Sequence, residues 1–181
     1  MANLHIESTA EIGNTGKSLN DLIYPKIACF GYSGDQSAHS NGDRIIFNNT
    51  IFNNAPNNIV PYSNGIIDIK NLTKGKHYIK LSLQCWVEKP LDTGVRPWLK
   101  IVRYEDNKPL AEYISHNSTP YHSIVISNVI VPFDPGSTDG IMRLVVMLWC
   151  ETEWYVNVGS GWVEYMKDRN VITIEILELD N

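Results

Sequence analysis

After residue 42, apolar and polar residues alternate with a period of two, the pattern of β-strands with one buried and one solvated face. The clearest strand alternates Ile79, Leu81, Leu83, Cys85 and Val87 with mostly polar neighbours. Two earlier segments, 44–47 and 51–52, flank a predicted break at Asn-Asn-Thr, and another strand is predicted at 65–69. Later strands are predicted at 98–105, 109–115, 122–131, 141–151, 153–158, 161–166 and 171–179. About nine or ten strands without a long amphipathic helix predict an all-β fold, an antiparallel jelly-roll sandwich.

The first 42 residues differ from the rest of the chain. They are rich in Ser, Gly, Asn and Thr and show little alternation of apolar and polar positions. We therefore divide the chain into an irregular N-terminal arm or anchor, 1–42, and a jelly-roll domain, 43–181.

Two of the predicted strands are apolar on both faces. In 141–151, Val145, Met147 and Trp149 lie opposite another apolar row, and 98–105 carries Trp98 and Val102 opposite Leu99 and Ile101. Such strands require cover on both sides, from the arm or from another subunit. We therefore expect the chain to associate with itself as a closed homo-oligomer.

Composition narrows the possible partners and locations. The 181 residues carry a formal net charge of -5, with no basic block that would suit nucleic acid or an anionic membrane. No apolar run is long enough to span a bilayer. The first residues lack the features of a secretory signal, so we expect no signal peptide. Three widely spaced cysteines in apolar surroundings predict reduced, buried thiols.

Catalytic and metal-binding motifs are not found in the sequence. There is no G-x-S-x-G element, no phosphate-binding glycine loop and no Cys/His cluster with zinc spacing. His116 and His122 could face each other across a loop, but they lack a third ligand nearby and suit solvated loop ends better. A cupin-like hydrolase or isomerase would require a His/Glu metal set that the spacing does not supply. We expect no enzyme, no cofactor and no metal site.

One group of residues does carry the chemistry of a binding site. Aromatic and acidic side chains concentrate on two segments that would pair around Gly159-Ser160-Gly161: Trp149, Glu151, Glu153, Trp154, Tyr155, Trp162 and Glu164. Aromatic faces stack on the CH groups of sugars while carboxylates accept hydrogen bonds from hydroxyls. Cross-strand packing of aromatic residues would explain the same pattern. A pair of acids could also serve glycoside hydrolysis, although nothing predicts a cleft.

The β region, about 43–179, resembles the jelly roll of the tumour-necrosis-factor/C1q superfamily. The resemblance rests on the strand at Phe47, on Asn64-Gly65-Ile66-Ile67-Asp68-Ile69, on the segment 74–81 and on the closing strand 171–179. It implies trimers, and the Asn- and Ile-rich, turn-rich sequence is similar to bacteriophage virion proteins of this type. The resemblance implies a non-enzymatic homotrimer in the virion that decorates a capsid and binds the major capsid protein. The alternative is a receptor- or glycan-binding tip of a tail or head fibre.

Overall fold

The computed structural model describes residues 25–32, 42–88, 97–114, 121–149, 155–156 and 170–179. Within these ranges every regular element is a strand, which confirms the all-β prediction, and no helix there is long and apolar enough to cross a membrane. The strands are β1 (Lys26–Tyr32), β2 (Asp43–Ile45), β3 (Phe47–Asn53), β4 (Ile59–Pro61), β5 (Ile67–Ile69), β6 (His77–Glu88), β7 (Trp98–Arg103), β8 (Lys108–Ile114), β9 (Tyr121–Pro132), β10 (Met142–Trp149), β11 (Tyr155–Val156) and β12 (Val171–Glu178). The count exceeds nine or ten because β1 and β4 lie outside the predicted segments, whereas the short β2, β5 and β11 overlap predicted ones.

Two antiparallel sheets share the strands in a jelly-roll order. Sheet I runs β9-β6-β12-β1-β3, with the short β11 also pairing with β6. Sheet II runs β4-β5-β10-β7-β8, with β2 also pairing with β10. Sequence neighbours such as β2 and β3 lie in different sheets, and β12 lies between β6 and β1, so the chain passes repeatedly across the sandwich. This order confirms the predicted fold class.

The core lies between the sheets and follows from the predicted alternation. On β6 the side chains of Ile79, Leu81 and Leu83 point inward, and their cross-strand partners on β12 are Ile176, Ile174 and Ile172. All six are buried. From sheet II the inward residues are Leu99 and Ile101 on β7 and Met142, Leu144, Val146 and Leu148 on β10. Burial of these side chains is the main favourable term in folding.

β1 corrects the prediction for part of the arm. Lys26–Tyr32 was assigned to the irregular arm, but it lies inside sheet I and pairs with both β12 and β3. Its inward side chains, Ala28 and Phe30, are fully buried, while Ile27 and Cys29 on the other face are also apolar. Because both faces are apolar, the segment shows no alternation and was not predicted as a strand. Residues 1–24 and 33–41 lie outside the described ranges, so the rest of the arm stays a prediction.

β3 corrects the predicted break at Asn48-Asn49-Thr50. The strand runs without interruption from Phe47 to Asn53. It is an edge strand of sheet I, and Asn49 and Thr50 are exposed, so their polar side chains are solvated without loss of the ladder to β1. Two register irregularities in the β1–β3 pairing accommodate the polar run.

The outer face of sheet II is partly covered within a single chain. Val102 and Val145 form a cross-strand pair on that face, and each is only 1% exposed. The predicted cover for this pair therefore lies within the chain itself, and the pair does not require another subunit. Met147 and Trp149, on the same face of β10, are only partly buried.

β9 contains a bulge where it pairs with the middle of β6. The register shifts between Leu81 and Leu83, and Asn128 takes a positive φ of 56°. The Asn128 backbone N–H donates to the hydroxyl of Ser82 at 3.1 Å. A left-handed asparagine at a bulge bends an edge strand and locally interrupts its regular hydrogen-bonding pattern.

A pair of leucines tests the location of the core. Leu81 is fully buried between the sheets, whereas Leu179 is 53% exposed near the end of the chain. Leu81→Ala is expected to lower the free energy of unfolding by about 2–5 kcal/mol because it leaves a cavity. Leu179→Ala is expected to lower it by about 0.5 kcal/mol or less. Urea denaturation of both variants measures the difference, and equal effects would contradict the assignment of the inward face.

Candidate functional site

The structure describes only part of the predicted aromatic and acidic group. Trp149 is the last residue of β10, and Tyr155 starts β11, where its backbone pairs with Glu88. The other predicted residues lie outside the described ranges: Glu151, Glu153, Trp154, Trp162 and Glu164. Their assembly into one site therefore stays a prediction. The described part of the site is the surroundings of Trp149.

Trp149 belongs to an apolar row that crosses three strands on the outer face of sheet II. Its cross-strand partner on β7 is Trp98, whose partner on β8 is Ile114. Ile114 is 40% exposed, and both tryptophans are partly buried. Cross-strand neighbours on one face are close enough for their side chains to interact, so the row forms a continuous aromatic and aliphatic strip. We call Trp98, Ile114 and Trp149 the tryptophan row.

A lysine lies against this row. Lys100, two residues along β7 from Trp98, places its ammonium 3.3 Å from the centroid of the Trp98 ring and 4.8 Å from that of Trp149. The electron-rich faces of the two indoles attract the cation. Glu112, opposite Lys100 on β8, has a carboxylate oxygen 3.9 Å from the ammonium, which is beyond hydrogen-bonding distance.

A second cation, Arg44, starts from β2, two strands across the sheet from Lys100. Met147 on β10 has Lys100 as its partner on β7 and Arg44 as its partner on β2. The Arg44 guanidinium lies over the ring of Tyr104, 4.7 Å from its centroid. Lys100 and Arg44 therefore start on either side of Met147, but the ammonium lies at the tryptophans and the guanidinium lies at Tyr104, beside Arg143.

Sequence reasoning found Trp149 but not Trp98, Lys100 or Arg44 as its neighbours. Trp98 and Lys100 share a face because they are two residues apart on one strand, a signal that was available in the sequence. The pairing of β7 with β10, and of β10 with the short β2, is a long-range contact that the sequence pattern does not specify. The Trp98 indole N–H is buried without a hydrogen-bond partner.

An ion-pair network occupies the opposite end of sheet II, where the loop between β9 and β10 packs against β7. Arg143 is within 2.9 Å of Glu105, 2.5 Å of Asp139 and 3.6 Å of Asp68. Arg103 lies 2.6 Å from Asp106 and 2.8 Å from Asp134.

The electrostatics of this network follow from its hydrogen bonds. The Ser137 hydroxyl and the Arg143 guanidinium hold the pKa of Asp139 at about 2, below its ordinary 3.8. Hydrogen bonding from Arg103, followed by the backbone N–H of Lys108, holds the pKa of Asp106 at about 2. Arg103 and Arg143 are each paired with carboxylates. Such pairs hold the loop between β9 and β10 against the sheet and do not leave a charge available for a ligand.

The structure describes Cys85 and Cys29 but not Cys150, His116 or the side chain of His122. Cys85 is buried on β6, and burial raises its thiol pKa to about 12, so it packs as a small apolar residue. Cys29 is a partly buried free thiol, and Cys150 lies outside the described ranges. His116 is also outside them, and the side chain of His122 is not described. Among the side chains that are described, no group of three His, Cys, Asp or Glu residues could hold a metal ion.

Acid titration tests the ion-pair network. The pKa values of Asp106 and Asp139 are about 2 in the folded chain against an ordinary 3.8, so the unfolded chain takes up protons first as pH falls. The stabilisation is therefore complete above about pH 4 and is lost as pH falls toward 2. Asp139→Asn should show a smaller loss over this interval in urea denaturation at stepped pH. A wild-type free energy of unfolding that does not change between pH 4 and pH 2 would contradict the network.

Comparison with known proteins adds information about shape only. No protein-family model matches the chain, and no curated protein matches it. Among solved structures it is similar to Eiger TNF from S. frugiperda, with 9% sequence identity and a TM-score of 0.43 over 87% of this chain and 97% of that chain. It is also similar to a structure described as CBM4, with 8% identity and a TM-score of 0.29 over 86% of this chain and 92% of that chain. The jelly-roll assignment rests on the strand order given above.

Proposed function

We propose that this chain is a non-enzymatic structural protein of a virus particle, a homotrimer that decorates a bacteriophage capsid. The supporting observation is the distribution of exposed apolar side chains on the outer face of sheet I. Ile51 and Phe52 on β3 are 55% and 50% exposed, and Val125 and Ile130 on β9 are 52% and 56% exposed. These strands are the two opposite edges of the sheet.

Two different apolar patches at opposite edges favour a ring. A two-fold dimer would place one patch against its own copy, whereas the β9 patch of one chain against the β3 patch of the next is a heterologous contact. Heterologous contacts close into a cycle when the rotation allows, and a trimer is the cycle that the superfamily resemblance implies. A stable contact of this kind buries about 800 Å² on each partner, which is more than the four side chains alone supply. The flanking strands and loops would contribute the remainder.

The same proposal assigns the partner and the location. The major capsid protein, or another protein of the virion, would bind the trimer, and the N-terminal arm would act as the anchor. Support comes from the jelly-roll strand order and from the absence of catalytic motifs in the sequence. The chain would be made in the host cytoplasm and incorporated into the particle.

Oligomeric state tests the ring. Light scattering at micromolar concentration should give about three times the 20.5 kDa mass of one chain. Ile130→Glu places a charge in the β9 patch and should yield a folded monomer, because a buried unpaired charge opposes association. Leu179→Glu is the matched control at an exposed leucine outside both patches, and it should remain a trimer. A wild-type monomer, or a trimer in both variants, would contradict the contact.

Position on a particle tests the structural role. Electron microscopy of native particles labelled with antibody against this chain should show regular labelling of the capsid surface. Labelling confined to the tail would refute decoration and favour a fibre component. Particles without label would remove the virion proposal altogether.

A second candidate function is binding of a glycan or receptor as a lectin-like tip of a tail or head fibre. The tryptophan row favours it, because this row begins the predicted group that continues to Trp154 and Trp162. A glycan array should then show binding, and Trp154→Ala should abolish it because stacking on the indole supplies much of the contact area. Tyr78→Ala, which removes a partly buried aromatic residue on sheet I, is the control and should bind as the wild type does. An array without signal would reject this candidate.

A further inference from the structure

The hairpin that joins β4 to β5 carries an Asn-Gly pair in its turn. The Tyr62 N–H donates to the Ile66 carbonyl at 2.8 Å, and the Gly65 N–H donates to the Tyr62 carbonyl at 3.1 Å. Gly65 has a φ of 81°, which glycine adopts without the steric cost of a Cβ atom. Asn64 is exposed, so water has access to its side chain.

The Asn64 side chain folds back over the peptide that follows it. The Ile66 N–H donates to Asn64 Oδ1 at 3.1 Å, which makes an Asx turn. The ring closed by this hydrogen bond contains the Gly65 backbone nitrogen, so the amide carbon Cγ is held close to that nitrogen. Proximity of this kind favours an intramolecular reaction. The Ile66 N–H also lies where negative charge would develop on Oδ1 if a nucleophile added to Cγ.

We propose that Asn64 is a site of self-modification, at which the side-chain amide is converted to a carboxylate without an enzyme. The Gly65 nitrogen forms a bond to Asn64 Cγ and its proton goes to water, while the bond from Cγ to Nδ2 breaks and ammonia leaves. Water then opens the cyclic imide. Opening at Cγ gives aspartate, and opening at the main-chain carbonyl gives isoaspartate. Water is the co-reactant, and nothing is oxidised or reduced. The reaction depends on neither of the functions proposed above.

A second turn of the same geometry separates the contribution of the leaving group. The Ile141 N–H donates to Asp139 Oδ1 at 3.0 Å, and Gly140 follows with a φ of 73°. Hydrogen bonds from Ser137 and Arg143 hold the pKa of Asp139 at about 2, so this group is a carboxylate at neutral pH. A carboxylate already carries negative charge and has no ammonia to lose, whereas the Asn64 amide is neutral. Asp139 should therefore stay unchanged while Asn64 reacts.

The residue that follows distinguishes Asn64 from the other asparagines. Among those that the structure describes, Asn64 alone precedes a glycine. A side chain on the following residue crowds the attacking nitrogen, so the exposed Asn71, which precedes Leu72, is a suitable comparison. The sequence contains a second Asn-Gly pair at Asn41, which lies outside the described ranges, and peptide mapping separates the two.

The two products should affect the hairpin differently. Aspartate keeps the backbone and the oxygen that accepts from Ile66, and it adds a negative charge to a chain of net charge -5. Isoaspartate inserts a carbon into the main chain just before Gly65. Gly65 is closely packed, since a Cβ built on it would lie 3.3 Å from Ile46 Cγ1. The isoaspartyl product should therefore disturb the pairing of β4 with β5.

Incubation of the full chain in heavy-oxygen water tests the reaction, at neutral and at mildly alkaline pH. Digestion in ordinary water follows, so that heavy oxygen marks changes made before digestion. The Asn64 peptide should lose ammonia and gain a heavy oxygen atom, and faster at the higher pH because the attacking nitrogen must lose its proton. Fragmentation in the mass spectrometer and labelling by an isoaspartyl methyltransferase should identify both products. The Asn71 and Asp139 peptides should stay unchanged.

Variants assign the reaction to Asn64. In Asn64→Gln the additional methylene enlarges the ring that must close, so the label should be lost at this position. Ser63→Ala keeps the Asn-Gly pair and should be labelled as the wild type is. Urea denaturation of both variants confirms that they fold.

Three results would contradict the proposal. The first is a wild-type Asn64 peptide that stays unlabelled, whether or not Asn41 is labelled. The second is equal labelling at Asn64 and Asn71, because the glycine would then have no effect. The third is labelling of Asp139 as fast as that of Asn64, because the leaving group would then not matter.

Discussion

The structure depends on the burial of two facing sets of aliphatic side chains, one from each sheet. In sheet I the set is centred on the pairing of β6 with β12, where Leu81 and Ile174 lie opposite each other. In sheet II it is centred on β10 and β7, where Val146 pairs with Ile101. A one-residue slip of any of these strands would turn its buried side chains toward solvent, so the alternation fixes the register. The register in turn places each outward side chain, including those of the candidate site.

The outward faces serve different roles because their polar groups are satisfied in different ways. At the loop end of sheet II, guanidinium groups are matched by carboxylates, and the loop between β9 and β10 is fastened to the sheet. At the opposite end, the Lys100 ammonium lies over the Trp98 ring, and Glu112, the described acid that approaches it, is 3.9 Å away, too distant to hydrogen-bond. In the first arrangement, the guanidinium and carboxylate groups pair with each other within the chain. The second leaves Lys100 without a hydrogen bond to an acid among the described residues, beside the tryptophan row that favours the glycan-binding candidate.

The sequence predicted the fold class because period-two alternation is a local property, and it is strongest in strands such as β6 and β12, which have one apolar face. The alternation is absent at β1, where Ile27 and Cys29 make the outer face apolar as well, and at β3, where solvated asparagines in an edge strand resemble a break in the sequence pattern. For the candidate site, composition indicated Trp149. Lys100 and Arg44 could not be added, because their approach depends on β7 and β2 both pairing with β10, contacts between residues distant in the sequence.

The irregularity in β9 limits how copies of this chain can join. A straight edge strand offers a row of backbone N–H and C=O groups to any other strand, and such joining can continue without end into fibres. At Asn128 the positive φ turns the backbone out of line, and its N–H is already bonded to Ser82. The exposed apolar residues of β9 stand on either side of this interruption. In the proposed ring, copies would therefore join through contacts between side chains, which can stop at a fixed number of members, and not through open-ended growth of a shared sheet.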